Sequence, residues 1–441
     1  MTRLRTTRLS VRTLLLVVFI LVSAGPFGIE EMVSSSGPGV SLLLLLLVPL
    51  VWGAPLALVC TELSSAIPDE GGFYPWIERG LGRRWAFLSG WWLSLSGLVD
   101  TALYVVLAVG YANSWLGQPP LVRWLMAVAV IAIFAGLNVR SLRGMALSSA
   151  AFAVTILVPC ALLTVVGLLR WRQNPFVPLH PPGATTIGSL GVGLAVALWF
   201  YSGYESVSTM AGEIEEPRRV IPRALLLSIP AVIAVYVLPT VAALASVGRW
   251  EEWGEELTLV QVGHELGGGW LGIPMMAGAL VSSLALYNAY LASGARTTLV
   301  MAEDGLLPRV FGRVHPRFGT PWGSILITAG VHAVLATGSF EALLVIDVLL
   351  FVLSYLLIFA AFVALRVREP GLERPFRIPV GTAGAVLVAL VPTLVGLFMV
   401  ATAGHRYLLS GGLVAATGPL VYAALERRRS RTGGTREPTG G

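Results

Sequence analysis

Long apolar runs, separated by short polar segments, recur from one end of the chain to the other. Each run approaches the ~20 residues that an α-helix needs to cross the hydrocarbon core of a bilayer. Hydrophobic residues make up 56% of the 441 residues, a share that about twelve spans of ~20 residues would supply. The sequence therefore predicts an all-α membrane protein with twelve transmembrane helices and no sizeable soluble domain.

The apolar runs place the predicted spans at residues 12–36, 41–65, 85–112, 122–139, 146–169, 187–212, 221–247, 271–301, 322–338, 341–366, 380–403 and 407–425. We expect residues 1–425 to form a single transmembrane domain. Residues 426–441 are rich in Arg and Gly, and we expect them to form a disordered cytoplasmic tail that contacts anionic lipid.

Arginine sets the predicted orientation. All 30 basic residues are Arg, and Arg-rich segments of membrane proteins stay in the cytoplasm. With both termini inside, the cytoplasmic segments hold 25 of the 30 Arg, whereas the outer loop 249–269 is acidic. The net charge of +6 therefore indicates topology rather than nucleic acid binding. We expect a multi-pass protein of the plasma membrane with cytoplasmic termini.

The first apolar run resembles a secretory signal peptide, because Arg residues precede it and small residues follow at positions 23–25. Pro26 comes next, the segment continues to Ser36, and eleven further apolar runs follow. We therefore expect this run to be retained as a membrane span.

Reactive side chains are too scattered to indicate an enzyme. The five His residues show no metal-ligand spacing, and no Gly-rich loop ending in GK[S/T] indicates nucleotide binding. Cys60 and Cys160 both fall inside apolar runs, which favours inert buried thiols over a disulfide. The sequence therefore predicts no catalytic residue, no metal and no cofactor.

Helix-breaking residues interrupt two spans that lie five spans apart. Span 1 contains GPFG at 25–28, and span 6 contains SGYE at 202–205. Backbone groups freed by such breaks within a membrane must find internal partners or line a polar cavity. A repeat of five spans must be inverted, so we expect residues 12–170 and 187–366 to be inverted repeats, followed by two extra spans in 380–425. Matched breaks in such repeats indicate a substrate site near the midplane.

Several loop motifs accompany this pattern: ELSSAIPDEGGFYPW at 62–76, GEIEEP at 212–217, IPRA at 221–224, MAEDGLLP at 301–308, HPRFGTP at 315–321 and RPFRIP at 374–379. Together they resemble the loops of the amino acid–polyamine–organocation (APC) superfamily, and the likeness covers nearly the whole chain. The resemblance implies a leucine-transporter-like 5+5 inverted repeat with spans 1 and 6 broken. It also implies a secondary active transporter that works by alternating access.

Within the superfamily, PFGIEE at 26–31, LSGLVDTALY at 95–104 and YESVST at 204–209 are similar to the polyamine-uptake and L-type amino acid transporters. The polyamine-uptake group tends to carry Asp where Glu205 stands, and acidic residues in span 8 where this chain has YNAY at 287–290. That departure weakens the expectation of a multiply charged substrate. The resemblance thus implies transport of amino acids or related small organic cations, with putrescine or spermidine as the alternative.

The helix ends at the two breaks are expected to carry partial charges of opposite sign. Amides near Gly28 begin the outer half of span 1 and suit a substrate carboxylate, whereas carbonyls near Phe200 and Tyr201 suit an ammonium group. The predicted substrate site comprises the breaks and one face of span 3: Ala24, Gly25, Pro26, Phe27, Gly28, Ile29, Glu30, Asp100, Tyr104, Phe200, Tyr201, Ser202, Gly203, Tyr204 and Glu205. Aromatic residues at 199, 201 and 204 can form a wall or a cation–π face.

Three intramembrane carboxylates are candidates for proton coupling and for contact with a substrate cation. A charged side chain at the centre of a membrane helix costs ~2.5–3.5 kcal/mol on insertion scales, so Glu30, Asp100 and Glu205 are functional candidates. Each has a structural alternative, because Glu30, Glu31 or Glu205 can cap a break and Asp100 can hold helices together. Ser293 is a candidate ion ligand, or a packing contact between helices.

The expected partners are a small-molecule substrate, a proton or another coupling ion, and the lipid bilayer. A channel or a membrane sensor is the alternative from a different class. A channel needs a filter loop, and a sensor needs a soluble output domain, and the sequence shows neither feature. A secondary carrier is therefore the favoured hypothesis.

Overall fold

The computed structural model describes residues 23, 25–68, 73–140, 149–203, 217–254, 257–303 and 308–431. Within these residues the chain is helical, and the strand-like contact that they show is an isolated bridge between Trp253 and Leu257. Their α-helices are α1 Glu30–Ser36, α2 Pro38–Val48, α3 Ala54–Ala66, α4 Phe73–Leu81, α5 Arg83–Leu116, α6 Pro120–Val139, α7 Ser149–Leu169, α8 Gly191–Phe200, α9 Pro217–Ser246, α10 Leu259–Gly267, α11 Gly269–Glu303, α12 Trp322–Leu335, α13 Phe340–Arg368, α14 Thr382–Thr402 and α15 His405–Arg431.

The membrane spans confirm the predicted class of multi-pass helical membrane protein. In the described part of the chain, nine helical segments are long and apolar enough to cross a bilayer, and α8 and α12 are shorter apolar helices. A π-helical turn, Pro49–Gly53, joins α2 to α3 into one span. Residues 12–22 of predicted span 1 and residues 204–212 of predicted span 6 lie outside the described residues. The count of twelve spans and the inverted repeat stay predictions.

Three segments that the sequence places in loops or the tail are helical. The loop after span 2 contains α4, and the acidic outer loop contains α10, which begins with a reciprocal cap between Thr258 and Gln261. The predicted tail begins at residue 426, whereas α15 continues to Arg431. The residues that extend α15 are mainly Glu and Arg, which are strong helix formers, and no Gly or Pro interrupts them before residue 433.

Helices α5 and α13 pack against each other in antiparallel directions and carry two polar contacts across their interface. The hydroxyls of Ser89 and Ser354 share a hydrogen bond, and the hydroxyl of Ser96 donates to Oδ1 of Asp347 at 2.5 Å. The two contacts are seven residues apart on each helix, which is about two helical turns. This register places the N-terminal third of α13 beside the predicted site residues of α5.

A buried ion cluster ties the predicted cytoplasmic ends of α3 and α13 together. Oε1 and Oε2 of Glu62 accept hydrogen bonds from the guanidinium of Arg366 at 2.6 and 2.5 Å. Arg374 adds an ion pair at 3.1 Å, and the Ile378 amide donates to Oε2 at 2.8 Å. The forked geometry of Arg suits a bidentate carboxylate, and burial requires that each charge be paired. The segment between α13 and α14 is therefore anchored to α3.

Candidate functional site

The break in span 1 rests on two glycines with left-handed backbone angles. Gly25 has a φ of +98° and Gly28 a φ of +95°, and α1 begins at Glu30. A Cβ atom at Gly28 would also lie 2.9 Å from Cζ of Phe340. Only glycine meets both conditions without strain. The other residues of this break, Phe27 and Ile29, are buried.

The carboxylate of Glu30 holds this break in place. Oε2 accepts the Gly28 amide at 3.0 Å, and Oε1 accepts the Leu259 amide at 2.9 Å. The hydroxyl of Tyr111 donates to Oε1 at 2.8 Å and itself accepts the Gly28 amide at 2.9 Å. Glu30 thus links the break to α5 and to the first residue of α10. This is the arrangement that the capping alternative describes, and a role of Glu30 in substrate binding or coupling stays a prediction.

The break in span 6 is held by the surrounding helices. The hydroxyl of Tyr201 donates to the backbone carbonyl of Leu45 at 2.8 Å. The hydroxyl of Ser202 accepts Nε1 of Trp52 at 3.0 Å, and Gly203 has a φ of +97°. Tyr201 and Ser202 therefore fix the end of α8 to the span built from α2 and α3. Tyr204 and Glu205, like Ala24 in span 1, lie outside the described residues.

Aromatic rings surround Asp100 on α5. Nε1 of Trp199, the penultimate residue of α8, donates to Oδ1 of Asp100 at 2.8 Å. Tyr104, one turn further along α5, lies 6.0 Å from Trp199 and stacks on Tyr290 at 5.7 Å between ring centroids. Phe200 packs on Trp199 at 5.3 Å. The structure thus brings together three predicted site residues, Asp100, Tyr104 and Phe200.

Asp347 is a second carboxylate beside Asp100. It is not among the site residues that were predicted from the sequence. The side chain lies about two turns from the start of α13 and is 1% exposed. It accepts the hydroxyl of Ser96, which lies one turn before Asp100 on α5. Because Ser96 and Asp100 lie on one face of α5, the two carboxylates lie near each other across the interface of α5 and α13. The rule that identifies Asp100, an acidic residue inside an apolar span, applies equally to Asp347.

Trp199 is another residue of this group that the predicted substrate site does not contain. Most Trp residues of membrane proteins anchor the chain at the interface, but Trp199 is half-buried between Asp100 and Phe340. Ser293, the candidate ion ligand, lies on α11 with an exposed side chain. Its role in ion binding stays a prediction.

A cavity of about 670 Å³ opens above the aromatic group, on the side predicted to face outward. Its lining includes Glu31, Asn113, Arg123 and Thr337, and Phe340 forms part of its wall. Phe340 also packs edge-to-face on Trp199 at 5.9 Å between ring centroids. These two rings therefore stand between the cavity and Asp100.

Comparison with known proteins identifies relatives along the whole chain. The sequence profile of the family described as amino acid permease matches residues 13–423. Polyamine transporter RMV1 of Arabidopsis thaliana is 31% identical over 400 residues, which are 90% of this chain and 81% of that protein. Polyamine transporter PUT1 of Oryza sativa subsp. japonica is 32% identical over 388 residues, 86% of this chain and 71% of that protein. A probable polyamine transporter of Arabidopsis thaliana is 32% identical over 423 residues, 95% of this chain and 87% of that protein.

Proposed function

Because the chain belongs to the amino acid permease family, within the APC superfamily, we propose that it is a secondary active transporter that carries polyamines across the plasma membrane. The family confirms that the chain is a membrane transporter and not an enzyme. The sequence analysis favours amino acids and keeps polyamines as the alternative. The arrangement around Asp100 and the names of the relatives support the alternative.

The observation that carries the proposal is a half-buried carboxylate flanked by aromatic rings. Asp100 meets the Trp199 indole, and Tyr104 stacks on Tyr290 beside it. An alkylammonium group is attracted both by a carboxylate and by the faces of such rings. A carboxylate ~5 Å from a cation at an effective dielectric constant of ~20 contributes roughly 3 kcal/mol, or about two powers of ten in affinity. The methylene groups of a polyamine suit the apolar faces of the rings.

The backbone amides at the break in span 1 give less support to an amino acid substrate. The hypothesis of an amino acid substrate requires the amides near Gly28 to receive a substrate carboxylate. The Gly28 amide is already bonded to Glu30 and Tyr111, so such a carboxylate would compete with a buried one. A polyamine has no carboxylate and needs no such amide. Asp347 also supplies, in span 10, a second carboxyl group, which the YNAY segment at 287–290 does not supply.

Alternating access and proton coupling complete the proposal. Phe340 and Trp199 form the barrier between the outer cavity and the site, and opening requires their separation. The broken spans 1 and 6 are the elements that we expect to move. Glu205, Asp100 and Glu30 remain the candidates for carrying a coupled proton, and Ser293 for binding an ion.

Uptake into proteoliposomes tests this function. We expect saturable uptake of putrescine or spermidine that responds to a pH gradient, and little uptake of neutral or acidic amino acids. Asp100→Asn should weaken polyamine uptake at least tenfold. Glu265→Gln, in the ion pair with Arg249 at the exposed end of α10, is the matched control and should leave uptake unchanged. Amino acid uptake without polyamine uptake would contradict the proposed substrate.

A further inference from the structure

Asp100 and Asp347 form a close pair of carboxylates between two spans. Asp347 is buried on α13 and receives one hydrogen bond from Ser96, while Asp100 lies one turn from Ser96 on α5 and is hydrogen-bonded to Trp199 and Tyr104. These bonds come from uncharged donors, so none of them neutralises a carboxylate.

In the part of the chain that the structure describes, few ionisable groups lie around the pair. Tyr104 of α5, Tyr236 of α9, Tyr287 and Tyr290 of α11 and His332 of α12 are the ionisable residues nearby, and His332 Nδ1 lies 3.4 Å from the Tyr287 hydroxyl. The other elements packed on α13 direct their ionisable residues to its ends: Glu62 of α3 to Arg366, Arg79 of α4 to Glu369, and Tyr407 of α15 to Glu341. Helices α8 and α14 contain no ionisable residue.

Arg366 lies roughly five helical turns beyond Asp347, so its charge does not compensate the pair. Two carboxylates that share a site within a membrane cannot both keep their charge at low cost unless a cation or a proton joins them. The groups named above supply no permanent cation to this place. Because none of the described residues supplies this counter-charge, we take it to come from solution, as a proton or as the ammonium group of a substrate.

We infer that Asp100 and Asp347 form an exchange site that holds one proton when empty and releases it when a substrate ammonium group binds. The inference rests on the proposed polyamine function and extends it to coupling. On binding, the ammonium group takes the place of the proton between the carboxylates, and the proton passes to water on the open side. A site that holds a proton or a substrate cation, but not both, moves the two in opposite directions. The pair therefore makes the transporter a cation–proton exchanger.

Proton release on binding tests the inference without any variant. Putrescine is titrated into the purified full chain in lipid nanodiscs, in buffers of matched pH but different ionisation enthalpy. We expect about one proton to be released per putrescine near neutral pH. Because release of one proton is linked to binding, affinity should rise about tenfold per pH unit wherever the empty pair is protonated. Putrescine binding without proton release, and with an affinity independent of pH, would overturn the exchange site and leave the proposed substrate intact.

Variants on α13 locate the source of the proton. Asp347→Asn should bind putrescine with little or no proton release, and Asp347→Glu should restore the release. Glu341→Gln, an acidic residue on the same helix that meets Tyr407, is the matched control and should release as many protons as the unmodified chain. Full release from a folded Asp347→Asn protein would overturn the role of Asp347. Failure of the unmodified chain to bind any polyamine would instead overturn both the proposed function and the exchange site.

Discussion

The hydroxyl of Tyr111 satisfies two polar groups at the break in span 1. It accepts the Gly28 amide, which has no helical partner, and donates to Glu30, which is 3% exposed. A buried carboxylate is costly unless hydrogen bonds satisfy it. The Glu30 carboxylate here is satisfied by one side chain and by the backbone amides of Gly28 and Leu259. The hydroxyl therefore stabilises the break itself and not only the helix that carries it.

Tyr111→Phe should destabilise the protein by roughly 1–3 kcal/mol, the usual cost of leaving a buried polar group short of a partner. Thermal or denaturant-induced unfolding of the purified protein in detergent measures this loss of stability. Tyr407→Phe is the matched control, because Tyr407 also donates to a carboxylate, Glu341, but at a half-buried place. It should cost less than about 1 kcal/mol. Equal losses in the two variants would show that the Tyr111 hydroxyl has no special part in the break.

Glu205 presents the opposite case, since its role is predicted from the sequence and it lies outside the described residues. Glu205→Gln keeps the shape of the side chain and removes its charge. If Glu205 contacts the substrate cation, polyamine affinity should fall at least tenfold and the pH dependence of uptake should flatten. The measurement is uptake in proteoliposomes between about pH 6 and pH 8. Unchanged affinity and an unchanged pH profile would identify Glu205 as a cap.

The residues of the site divide by the kind of information that identifies them. Asp100 is predictable because an acidic residue inside an apolar run stands out at once. Asp347 carries the same signal, because it also lies inside an apolar run. The partners of Glu30 are different, because Tyr111 and Leu259 are distant in the sequence and only the folded chain brings them to Gly28.

At the scale of elements, the buried carboxylate of Glu62 fixes the position of the loop between α13 and α14. Glu62 on α3 receives both Arg366 and Arg374, and the side chains of all three are at most 4% exposed. Removing one partner from a buried ion pair leaves an uncompensated charge, which usually costs about 3–5 kcal/mol. The motif ELSSAIPDEGGFYPW therefore has a structural explanation at its first residue.

Glu62→Gln should destabilise the protein by roughly 3 kcal/mol or more, because two buried guanidinium groups lose their counter-charge. Thermal unfolding and the monodisperse yield after detergent extraction measure the effect. Glu369→Gln, which removes the exposed pair with Arg79, should change stability by less than about 1 kcal/mol. Similar small changes in both variants would contradict the importance of burial.

The exposed pair also has a defined pH dependence. The hydrogen bond from Arg79 lowers the pKa of Glu369 below its ordinary value. The contribution of the Arg79–Glu369 pair to stability is therefore present at neutral pH and is lost as the pH falls through the lowered pKa of Glu369. The small difference between Glu369→Gln and the unmodified chain should vanish in acid, which unfolding at a series of pH values would detect.

At the scale of the whole molecule, the nine membrane-length helices of the described residues were predictable, because apolar runs of this length leave few alternatives to helices. The helices α4 and α10 were not, since they are short, amphipathic and flanked by Gly and charged residues that resemble loops. The side of the membrane on which each loop lies follows from the distribution of Arg alone and stays a prediction.

Cysteine labelling of intact cells tests that orientation. Both native thiols, Cys60 and Cys160, are buried, so the unmodified chain should react little with a membrane-impermeant maleimide. Glu252→Cys, at an exposed position of the outer loop, should be labelled from outside. Thr439→Cys should react only after the cells are permeabilised. Labelling of residue 439 and protection of residue 252 would reverse the predicted topology.

The paired contacts between α5 and α13 restrict how the molecule can change shape. If α13 slid by one turn, Ser96 would face Leu343 or Phe351, and Ser89 would face Leu350 or Ile358, so neither serine would find a new polar partner. The two helices therefore form a rigid pair with one alignment. Spin labels on the exposed ends of α5 and α13 should keep a constant separation whether or not substrate is present. This pair would then be the fixed reference against which the motion of every other helix is measured.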